Sequence, residues 1–358
     1  MLQNNTSHIL LSGGGTLGPV TPLLAIVEAW KQKEPGTRFT WIGTPDGPEE
    51  EILESLRLPF LTLASAKLDR RRWWLWPWMV VVFFWSLARA WYLLKNLKPD
   101  LIFTAGGYVS VPLVIVGYFM GIPAWVHQLD REPGLANRLM APFAKKISVT
   151  WEVSQKYFPK TKTIVVGGME RPGLRVGDGN GFLQSLGLSP TFPTLFVLGG
   201  GTGARAINEA IEAILPDLTG VNVIHLTGKG KQDHKVVKKE NYFSSEFFTH
   251  EMGNAYAASD VVISRAGMGT ILELAVLKKP TILIPIQNTD QMANAKMLGD
   301  RSAALIISPL SPQVLFETIE RVLGDHILRR RLAENIGNLF PFGGELKVVE
   351  EARKMIIS

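Results

Sequence analysis

Two stretches in different halves of the chain share one pattern of strand, glycine-rich turn and helix. The first, "LLSGGGTLGPVTP", covers residues 10–22, and the second, "FVLGGGTGARAIN", covers residues 196–208. Glycine allows a positive φ and a close approach of the backbone to a ligand. A helix that begins behind such a turn offers unpaired N–H groups and a positive dipole end to a phosphate. The repeat therefore predicts two halves of similar fold, each with a phosphate-binding turn at a strand end.

Short apolar runs alternate with segments of helical spacing along the chain. The strand-like runs are "HILLS", "RFTWIG", "FLTLA", "LIFTA", "AWVHQ", "KISVT" and "TIVVG", then "TLFVLG", "NVIHLT", "DVVIS", "TILIP" and "AALIIS". This alternation predicts an α/β fold of two doubly wound domains with parallel sheets, facing each other across a cleft. A turn-rich passage at residues 167–182 is the predicted link. It divides the chain into domains of residues 1–170 and 171–341.

Composition narrows the class of protein. Apolar residues make up 46% of the 358 residues, which excludes a disordered chain. The absence of cysteine excludes disulfides and thiolate metal sites. The opening residues show no basic region followed by a signal-length apolar segment, so we expect an unexported protein. A net charge of +6 favours an anionic partner, which this count alone leaves open among phosphates, nucleic acid and acidic lipid.

Six of the ten tryptophans lie in one segment, "RRRWWLWPWMVVVFFWSLARAWYLL", at residues 70–94. Arginines before an apolar, tryptophan-rich stretch are typical of a segment lying in the headgroup region of a bilayer. The uncharged part, residues 73–88, is shorter than the ~20 residues of a spanning helix, and Pro77 is expected to interrupt it. A buried helix pair and a transmembrane span remain alternatives. The residues expected to contact the membrane are Trp73, Trp74, Trp76, Trp78, Phe83 and Phe84.

The glycine turns allow more than one interpretation. Gly13, Gly15 and Gly18 satisfy G-x-G-x-x-G, but this dinucleotide pattern is weak, and Asp46 lies too far into the turn after the second strand. A P-loop is excluded because no Gly-Lys-Ser/Thr follows either turn. A third glycine turn, "TAGGYVSVP" at residues 104–112, belongs to the same half as the first. Any single turn could be only a tight connection between strand and helix.

Several segments together resemble the bacterial peptidoglycan N-acetylglucosaminyltransferases, the family that converts lipid I to lipid II. They are "GGGTLGPVTPLLA", "GGYVSVP", "GIPAWVHQLDREPGLANRLMAPFAKKI", "LGGGTGARAIN", "EMGNAYAASDVVISRAGMGTILEL" and "QNTDQMANAKML". The resemblance implies a GT-B fold of two Rossmann-like domains. It implies inverting transfer of N-acetylglucosamine from UDP-N-acetylglucosamine to the 4-hydroxyl of the N-acetylmuramoyl residue of undecaprenyl-linked lipid I.

The same resemblance implies further properties. We expect no cofactor, no metal and no nucleic-acid partner. We expect a peripheral position on an anionic membrane surface, at the cytoplasmic face of the cell membrane, and contacts with other cell-wall synthesis proteins. The last helix, at residues 342–358, is expected to return to the N-terminal domain, by analogy with similar chains.

The resemblance places the donor site mainly in the C-terminal half. The residues it implies there are Arg171, Gly201, Thr202, Thr249, Met268, Gly269, Thr270, Ile271, Leu272, Glu273 and Gln291, with Thr16, Leu17, Gly18 and Asp130 from the N-terminal half. Glu273 would accept hydrogen bonds from both ribose hydroxyls, Thr249 would contact uracil, and Gln291 would reach the sugar. Three alternatives remain open: Thr270 and Glu273 as a capping box, Gln291 on the solvated surface, and Arg171 as an exposed link residue.

The acceptor side departs from the family pattern. The resemblance implies that the acceptor diphosphate binds at the turns that contain Gly14, Gly15, Gly106, Gly107 and Tyr108. Leu17-Gly18-Pro19 stands where the family commonly has Gly-Gly-His, and His127-Gln128-Leu129-Asp130 replaces the more usual His-Glu-Gln-Asn. We expect Asp130 or His127 to take the acceptor proton, with a purely structural His127 as the alternative.

These departures leave two other functions open. One is a related GT-B transferase acting on another lipid acceptor, such as diacylglycerol. The other is a catalytically silent protein that binds sugar nucleotides.

Overall fold

The structure is a computed structural model that describes residues 6–15, 18–45, 47, 49–66, 76–200, 204–231, 239–248 and 250–357. The chain forms two compact units. Unit 1 comprises residues 1–170 and 341–358, and unit 2 comprises residues 171–340.

Unit 1 contains a parallel sheet with helices on both faces. Its strands are β1 (His8–Ser12), β2 (Arg38–Gly43), β3 (Phe60–Thr62), β4 (Leu101–Thr104), β5 (Ala124–Gln128), β6 (Lys146–Val149) and β7 (Thr163–Val165). Its helices are α1 (Val20–Lys33), α2 (Glu49–Ser55), α3 (Trp76–Leu97), α4 (Ser110–Phe119), α5 (Leu135–Met140) and, at the end of the chain, α13 (Gly344–Ile357). The spatial order is β3-β2-β1-β4-β5-β6-β7, so the order reverses between β1 and β4.

Unit 2 repeats this architecture. Its strands are β8 (Thr194–Leu198), β9 (Asn222–Leu226), β10 (Tyr242–Ser245), β11 (Val261–Ser264), β12 (Thr281–Leu283) and β13 (Leu305–Ile306). Its helices are α6 (Gly179–Ser185), α7 (Arg205–Ile214), α8 (Met252–Ala258), α9 (Met268–Val276), α10 (Asp290–Asp300), α11 (Pro312–Gly324) and α12 (His326–Gly337). The order β10-β9-β8-β11-β12-β13 reverses between β8 and β11.

The central strands of both sheets are buried along their whole length. Every residue of β1, β5, β8, β9 and β11 is buried, as expected for parallel strands covered on both faces. The local sequence also sets some helix starts, because the Ser311 and Asp325 side chains accept backbone N–H groups at the first turns of α11 and α12. The predicted α/β class with two doubly wound, Rossmann-like domains is confirmed.

The end of the chain packs on the first helix. α13 lies along α1, and Arg353 Nη2 lies 2.6 Å from Glu34 Oε1. Before α13, the Gly168 N–H donates to the Pro341 carbonyl at 2.9 Å. These contacts join the last residues of the chain to unit 1.

Two predictions about local structure need correction. β10 was missed because "YFSS" is a half-buried edge strand without a strong apolar run. Pro77 does not interrupt the tryptophan-rich segment: it is the second residue of α3, in the first turn, where a missing N–H costs no helical hydrogen bond. As a result α3 runs for 22 residues, longer than the uncharged stretch suggested.

Candidate functional site

Unit 1 contains a cavity of about 290 Å³ where the order of its strands reverses. Loops that follow β1, β4 and β5 form its walls, as expected for a ligand site at the carboxyl ends of parallel strands. The lining residues are Gly14, Gly15, Gly18, Pro19, Ala105, Gly106, Gly107, Tyr108, Gln128, Leu129, Asp130, Gly134, Ala136 and Asn137. The fold thus brings the predicted acceptor residues together with Asp130. Gly18, which the resemblance assigned to the donor, also lies here.

The first and third glycine turns touch each other in this cavity. Gly106 and Gly107 have φ angles of +106° and +95°, a backbone region that other residues rarely adopt. A Cβ on Gly107 would also lie 3.1 Å from the Gly14 carbonyl oxygen. Glycine at position 107 is therefore required both by conformation and by the close approach of the neighbouring turn.

A buried carboxylate lies directly behind the first glycine turn. Glu49 Oε1 accepts the Thr44 N–H at 2.8 Å, and Oε2 accepts the Gly15 N–H at 3.2 Å. A Cβ on Gly14 would come within 2.0 Å of Oε1, and a Cβ on Gly47 would come within 2.0 Å of Oε2. The Gly15 N–H is thus already donated to a protein anion, which disfavours a phosphate beside it.

The His127 side chain is buried, and both of its ring nitrogens form hydrogen bonds with side chains of unit 1. Ser148 Oγ accepts from Trp125 Nε1 at 2.8 Å and forms a second hydrogen bond with His127 Nδ1 at 2.9 Å. The other ring nitrogen, Nε2, forms a hydrogen bond with Thr150 Oγ1 at 3.3 Å. Complete burial lowers the pKa of His127 to about 3. These contacts favour the structural alternative for His127 and leave half-buried Asp130 as the carboxylate that lines the cavity.

In unit 2, a carboxylate is held between a phenol and a guanidinium. The Tyr256 hydroxyl, from α8, donates to Glu273 Oε2 at 2.8 Å, and Arg171 Nη1 lies 3.6 Å from Oε1. Only 19% of the Arg171 side chain is exposed, so it is not an exposed link residue. The capping-box alternative for Glu273 is wrong, because α9 is capped by Gly267 and Glu273 lies further along the helix.

Opposing effects act on the pKa of Glu273. Burial has the largest effect and raises the pKa of Glu273 above its ordinary value, while the positive charge of Arg171 and the hydrogen bond from Tyr256 partly offset this rise. Burial and the adjacent carboxylate raise the pKa of Tyr256 well above its ordinary value, so Tyr256 stays a neutral donor. A carboxylate has about four acceptor positions, and these two partners leave acceptor capacity on both oxygens.

The N-terminal turn of α9, the helix that carries Glu273, has backbone N–H groups available to a ligand. The side chains of Met268, Ile271 and Leu272 are buried in the core, so only their backbone groups are available for a ligand. The N-cap of α9 is Gly267, which has no side chain that could accept the first N–H groups of the helix. The helix therefore presents N–H donors and a positive dipole end.

The loops on either side of this turn are tied in place. Arg265 Nη1 donates to the Ile284 carbonyl at 2.9 Å, and Asn294 Nδ2 donates to the Ala266 carbonyl at 3.1 Å. Gln291 Oε1 accepts the Ile286 N–H at 3.1 Å and is half-buried, so its side chain orders the loop after β12.

Some predicted positions lie outside the described residues. These are Thr16, Leu17, Gly201, Thr202, Thr249, Trp73 and Trp74, and for Trp76 only the backbone is described.

An exposed apolar surface, most of it aromatic, lies on α3 and at the end of the adjacent α4. It consists of Trp78, Val80, Val81, Phe84, Trp85, Trp91, Tyr92, Tyr118 and Phe119, and we call it the α3–α4 surface. Trp78 and Phe119 are 66% and 76% exposed. Lys95 Nζ lies 4.7 Å from the centre of the Trp91 ring, and the Arg89 guanidinium lies 5.2 Å from that of Tyr92. Phe83 differs from its neighbours, because it packs against the core of unit 1.

The same helix meets the simplest criteria for a membrane span. Within the described part of the chain, one helix, Pro77–Leu97, is long and apolar enough to cross a membrane, with a mean hydropathy of 1.3. Those described residues contain no group of three or more His, Asp or Glu side chains arranged to hold a metal ion.

Sequence reasoning missed Glu49, Tyr256 and Arg265. The only sequence signal for Glu49 is the pair of nearby glycines, Gly43 and Gly47, whose lack of a Cβ leaves room for the Glu49 side chain. Tyr256 and Glu273 lie on different helices, and no sequence periodicity joins them. Arg265 precedes the Gly267 cap at a strand end, a position that could have been predicted from the pattern.

Comparison with known proteins identifies relatives over most of the chain. Residues 9–149 match the Glycosyltransferase family 28 N-terminal domain, and residues 194–334 match the Glycosyltransferase family 28 C-terminal domain. The chain is 37% identical over 325 residues to the UDP-N-acetylglucosamine–N-acetylmuramyl-(pentapeptide) pyrophosphoryl-undecaprenol N-acetylglucosamine transferase of Lachnoclostridium phytofermentans, covering 88% of this chain and 90% of that relative.

Two further comparisons agree with this match. The second such transferase of Bacillus anthracis is 38% identical over 308 residues, covering 84% of this chain and 86% of the relative. The crystal structure of MurG from Acinetobacter baumannii is 24% identical and superimposes with a TM-score of 0.70, covering 97% of this chain and 99% of that one. This last likeness concerns the fold.

Proposed function

The chain belongs to glycosyltransferase family 28, and from this membership we propose that it transfers N-acetylglucosamine from UDP-N-acetylglucosamine to lipid I. The acceptor is the 4-hydroxyl of the N-acetylmuramoyl residue on undecaprenyl pyrophosphate, and the product is lipid II. The observation that carries this proposal is the 37% identity over 88% of the chain to a transferase named for that reaction. The geometry of each unit supports a part of it.

Unit 2 binds the donor nucleotide in this proposal. Glu273 receives the two ribose hydroxyls on the acceptor positions that Tyr256 and Arg171 leave open. The first turn of α9 directs its N–H groups at the diphosphate, where negative charge develops as UDP leaves. Backbone dipoles held in place before the reaction stabilise this charge without having to reorganise.

Unit 1 binds the acceptor in the glycine-lined cavity. Glu49 disfavours an anion beside Gly15, so the acceptor diphosphate lies toward Gly106 and Gly107, before the N-terminus of α4. The 4-hydroxyl oxygen attacks the anomeric carbon from the face opposite to UDP. The bond from that carbon to the β-phosphate oxygen breaks, its electron pair leaves with UDP, and the hydroxyl proton passes to the Asp130 carboxylate.

The α3–α4 surface holds the enzyme on the membrane that carries its acceptor. Exposed tryptophan and phenylalanine side chains enter the interfacial region, and Arg89 and Lys95 contact anionic headgroups. We propose a peripheral position at the cytoplasmic face of the cell membrane, where other cell-wall synthesis proteins are available as partners.

The test is a transfer assay with the purified protein. Labelled UDP-N-acetylglucosamine is incubated with a short-chain lipid I analogue or, in a parallel reaction, with diacylglycerol. A labelled product from the lipid I analogue supports the proposal. A product formed only with diacylglycerol, or tight UDP binding without any turnover, would contradict it.

A further inference from the structure

Three side chains, those of Gln128, Arg138 and Ser154, hold the four carbonyl groups of the turn at residues 130–133. Gln128 Nε2 lies 2.7 Å from the carbonyl oxygen of residue 130 and 3.2 Å from that of Glu132. Ser154 Oγ donates to the carbonyl of residue 131 at 2.7 Å, and Arg138 Nε donates to that of residue 133 at 3.0 Å. This turn follows β5 and carries Asp130 at the wall of the cavity. Its shape is therefore set by side-chain donors.

The direction of the hydrogen bonds through Gln128 is determined by its partners. Both groups near Nε2 are carbonyl oxygens, so this end of the amide must be the NH₂ donor. Oε1 then accepts from Asn137 Nδ2 at 2.6 Å, and Asn137 Nδ2 also donates to the His127 carbonyl at 3.2 Å. A carboxylate or an apolar side chain at position 128 could not make this set of contacts.

Asn137 connects the same chain of amides to the neighbouring glycine turn. A Cβ on Gly106 would come within 2.9 Å of Asn137 Oδ1, so this oxygen packs directly against the Gly106 backbone. Asn137 and Gln128 are both buried, at 6% and 2% exposure. Burial protects their hydrogen bonds from competition with water. One buried chain of two amides therefore sets the positions of two walls of the cavity.

From this arrangement we infer that Gln128 is a positioning residue for Asp130, acting through the turn at residues 130–133. Gln128 itself does not touch the reacting atoms: its NH₂ group holds the backbone that presents the Asp130 carboxylate. Asn137 fixes the orientation of the Gln128 amide. The inference rests on the proposed function where it concerns turnover, whereas its structural part can be tested without it.

The first measurement is amide hydrogen exchange on peptides that cover residues 129–136. Gln128→Met keeps the side-chain volume without either hydrogen-bonding end, and Gln128→Glu keeps the acceptor oxygen but removes the donor. We expect faster exchange of the turn in both variants and in Ser154→Ala, with unchanged exchange at β8. Gln32→Glu, an exposed glutamine on α1, is the matched control for added charge and leaves the turn unchanged. Unchanged exchange in both Gln128 variants overturns the inference, whether or not the protein transfers a sugar.

The second measurement is a double-mutant cycle on turnover with the lipid I analogue. Gln128→Met is expected to lower kcat about fivefold in the wild-type background, with an unchanged KM for UDP-N-acetylglucosamine. In an Asp130→Asn background the same change is expected to have no further effect, because the group that it positions is already lost. An equal loss in both backgrounds would show a general structural role and overturn the inference. If the wild-type protein shows no transfer, the proposed function fails, and hydrogen exchange alone decides on the positioning of the turn.

Discussion

The candidate sites of the two units lie at the same place in two similar sheets but are built from different side chains. In unit 1 glycine backbone and neutral amides form much of the lining, Asp130 adds one half-buried carboxylate, and Glu49 is buried behind a turn. In unit 2 a buried carboxylate, Glu273, is combined with a guanidinium and a phenol. The shared fold thus provides the loops and helix N-termini, whereas individual side chains decide what each unit binds.

A second difference concerns the surface around each site. Unit 1 carries the α3–α4 surface, where aromatic rings face solvent and basic side chains lie over two of them. In unit 2 the exposed apolar side chains, such as Val176 and Ile327, are scattered singly along the sequence. This contrast fits a lipid-linked acceptor at unit 1 and a water-soluble nucleotide sugar at unit 2.

The largest expected effect comes from removing the Glu273 carboxyl group of the unit 2 site. Glu273→Ala is expected to weaken UDP binding about hundredfold, ~2.8 kcal/mol, because it removes the proposed acceptor of two ribose hydroxyls. Titration calorimetry with UDP measures this change, and circular dichroism checks the fold. Glu273→Gln keeps an acceptor for Tyr256, so its affinity for UDP is expected to lie between that of the wild type and that of Glu273→Ala. Unchanged affinity in Glu273→Ala would remove Glu273 from the donor site.

Each unit also contains a buried histidine with a lowered pKa, which makes the unit sensitive to acid. Burial lowers the pKa of His127 to about 3 and that of His225 to about 4, against 6.5 for the free side chain. The unfolded chain therefore binds a proton below pH 6.5 that the folded chain does not, and stability falls as the pH falls. The expected loss is about 1.4 kcal/mol per pH unit for each histidine, or about 2 kcal/mol at pH 5.

Chemical denaturation at pH 7, 6 and 5 tests this expectation in each unit. His127→Gln reports on unit 1 and His225→Gln on unit 2, and each is expected to reduce the slope of unfolding free energy against pH. His250→Gln, at an exposed position, is the control and leaves the slope unchanged. An unchanged slope in His127→Gln would mean that this ring does not stay neutral in the folded protein.

The aromatic surface of unit 1 gives the next largest effect. Replacing Trp78 and Trp85 with serine is expected to weaken binding to anionic vesicles about thirtyfold, ~2 kcal/mol, because each exposed ring contributes about 1 kcal/mol when buried in lipid. Vesicle sedimentation measures the partition. Serine at Val176 and Ile327, which are exposed apolar positions in unit 2, provides the matched control. Undiminished binding of the tryptophan variant would reject the membrane surface, and a protein extracted only by detergent would indicate a spanning helix instead.

The carboxylate of the unit 1 cavity is expected to contribute less, because positioning supplies part of the rate. Asp130→Asn should lower kcat about tenfold, ~1.4 kcal/mol, with an unchanged KM for the donor. Steady-state kinetics with the lipid I analogue measures both constants. Glu132→Gln, an exposed carboxylate two residues away, serves as the control. Full turnover in Asp130→Asn would assign the proton to another group.

The smallest effect is expected at the phenol that supports Glu273. Tyr256→Phe keeps the ring that packs edge-on against Phe196 but removes one hydrogen bond to the carboxylate. The KM for the donor should rise about fivefold, ~1 kcal/mol, while kcat stays the same. Tyr242→Phe removes another hydroxyl of unit 2, one that faces His225, and is expected to leave the KM unchanged. Equal shifts in both variants would indicate a general loss of stability.

Most of the fold followed from local patterns in the sequence. Apolar runs of strand length, separated by helical spacing, identified the strands at the centre of both sheets, because a strand covered on both faces must be apolar throughout. The edge strand β10 was the exception, since its side chains are only partly buried and it has no strong apolar run. The glycine turns were also predictable, because positive φ angles at Gly106 and Gly107 suit no other residue well.

The sequence by itself therefore determined the alternation of elements, the turns at the strand ends and the aromatic segment. Only the tertiary structure decided how these parts become sites. In unit 1 it placed Glu49 behind the first glycine turn, buried His127 against Ser148, and joined Gln128 to the turn that carries Asp130. In unit 2 it brought Tyr256 and Arg171 to Glu273. The physical reason is that strand and turn preferences act between neighbours in the chain. Hydrogen bonds between buried side chains instead depend on distances across the folded core, and residue spacing does not encode them.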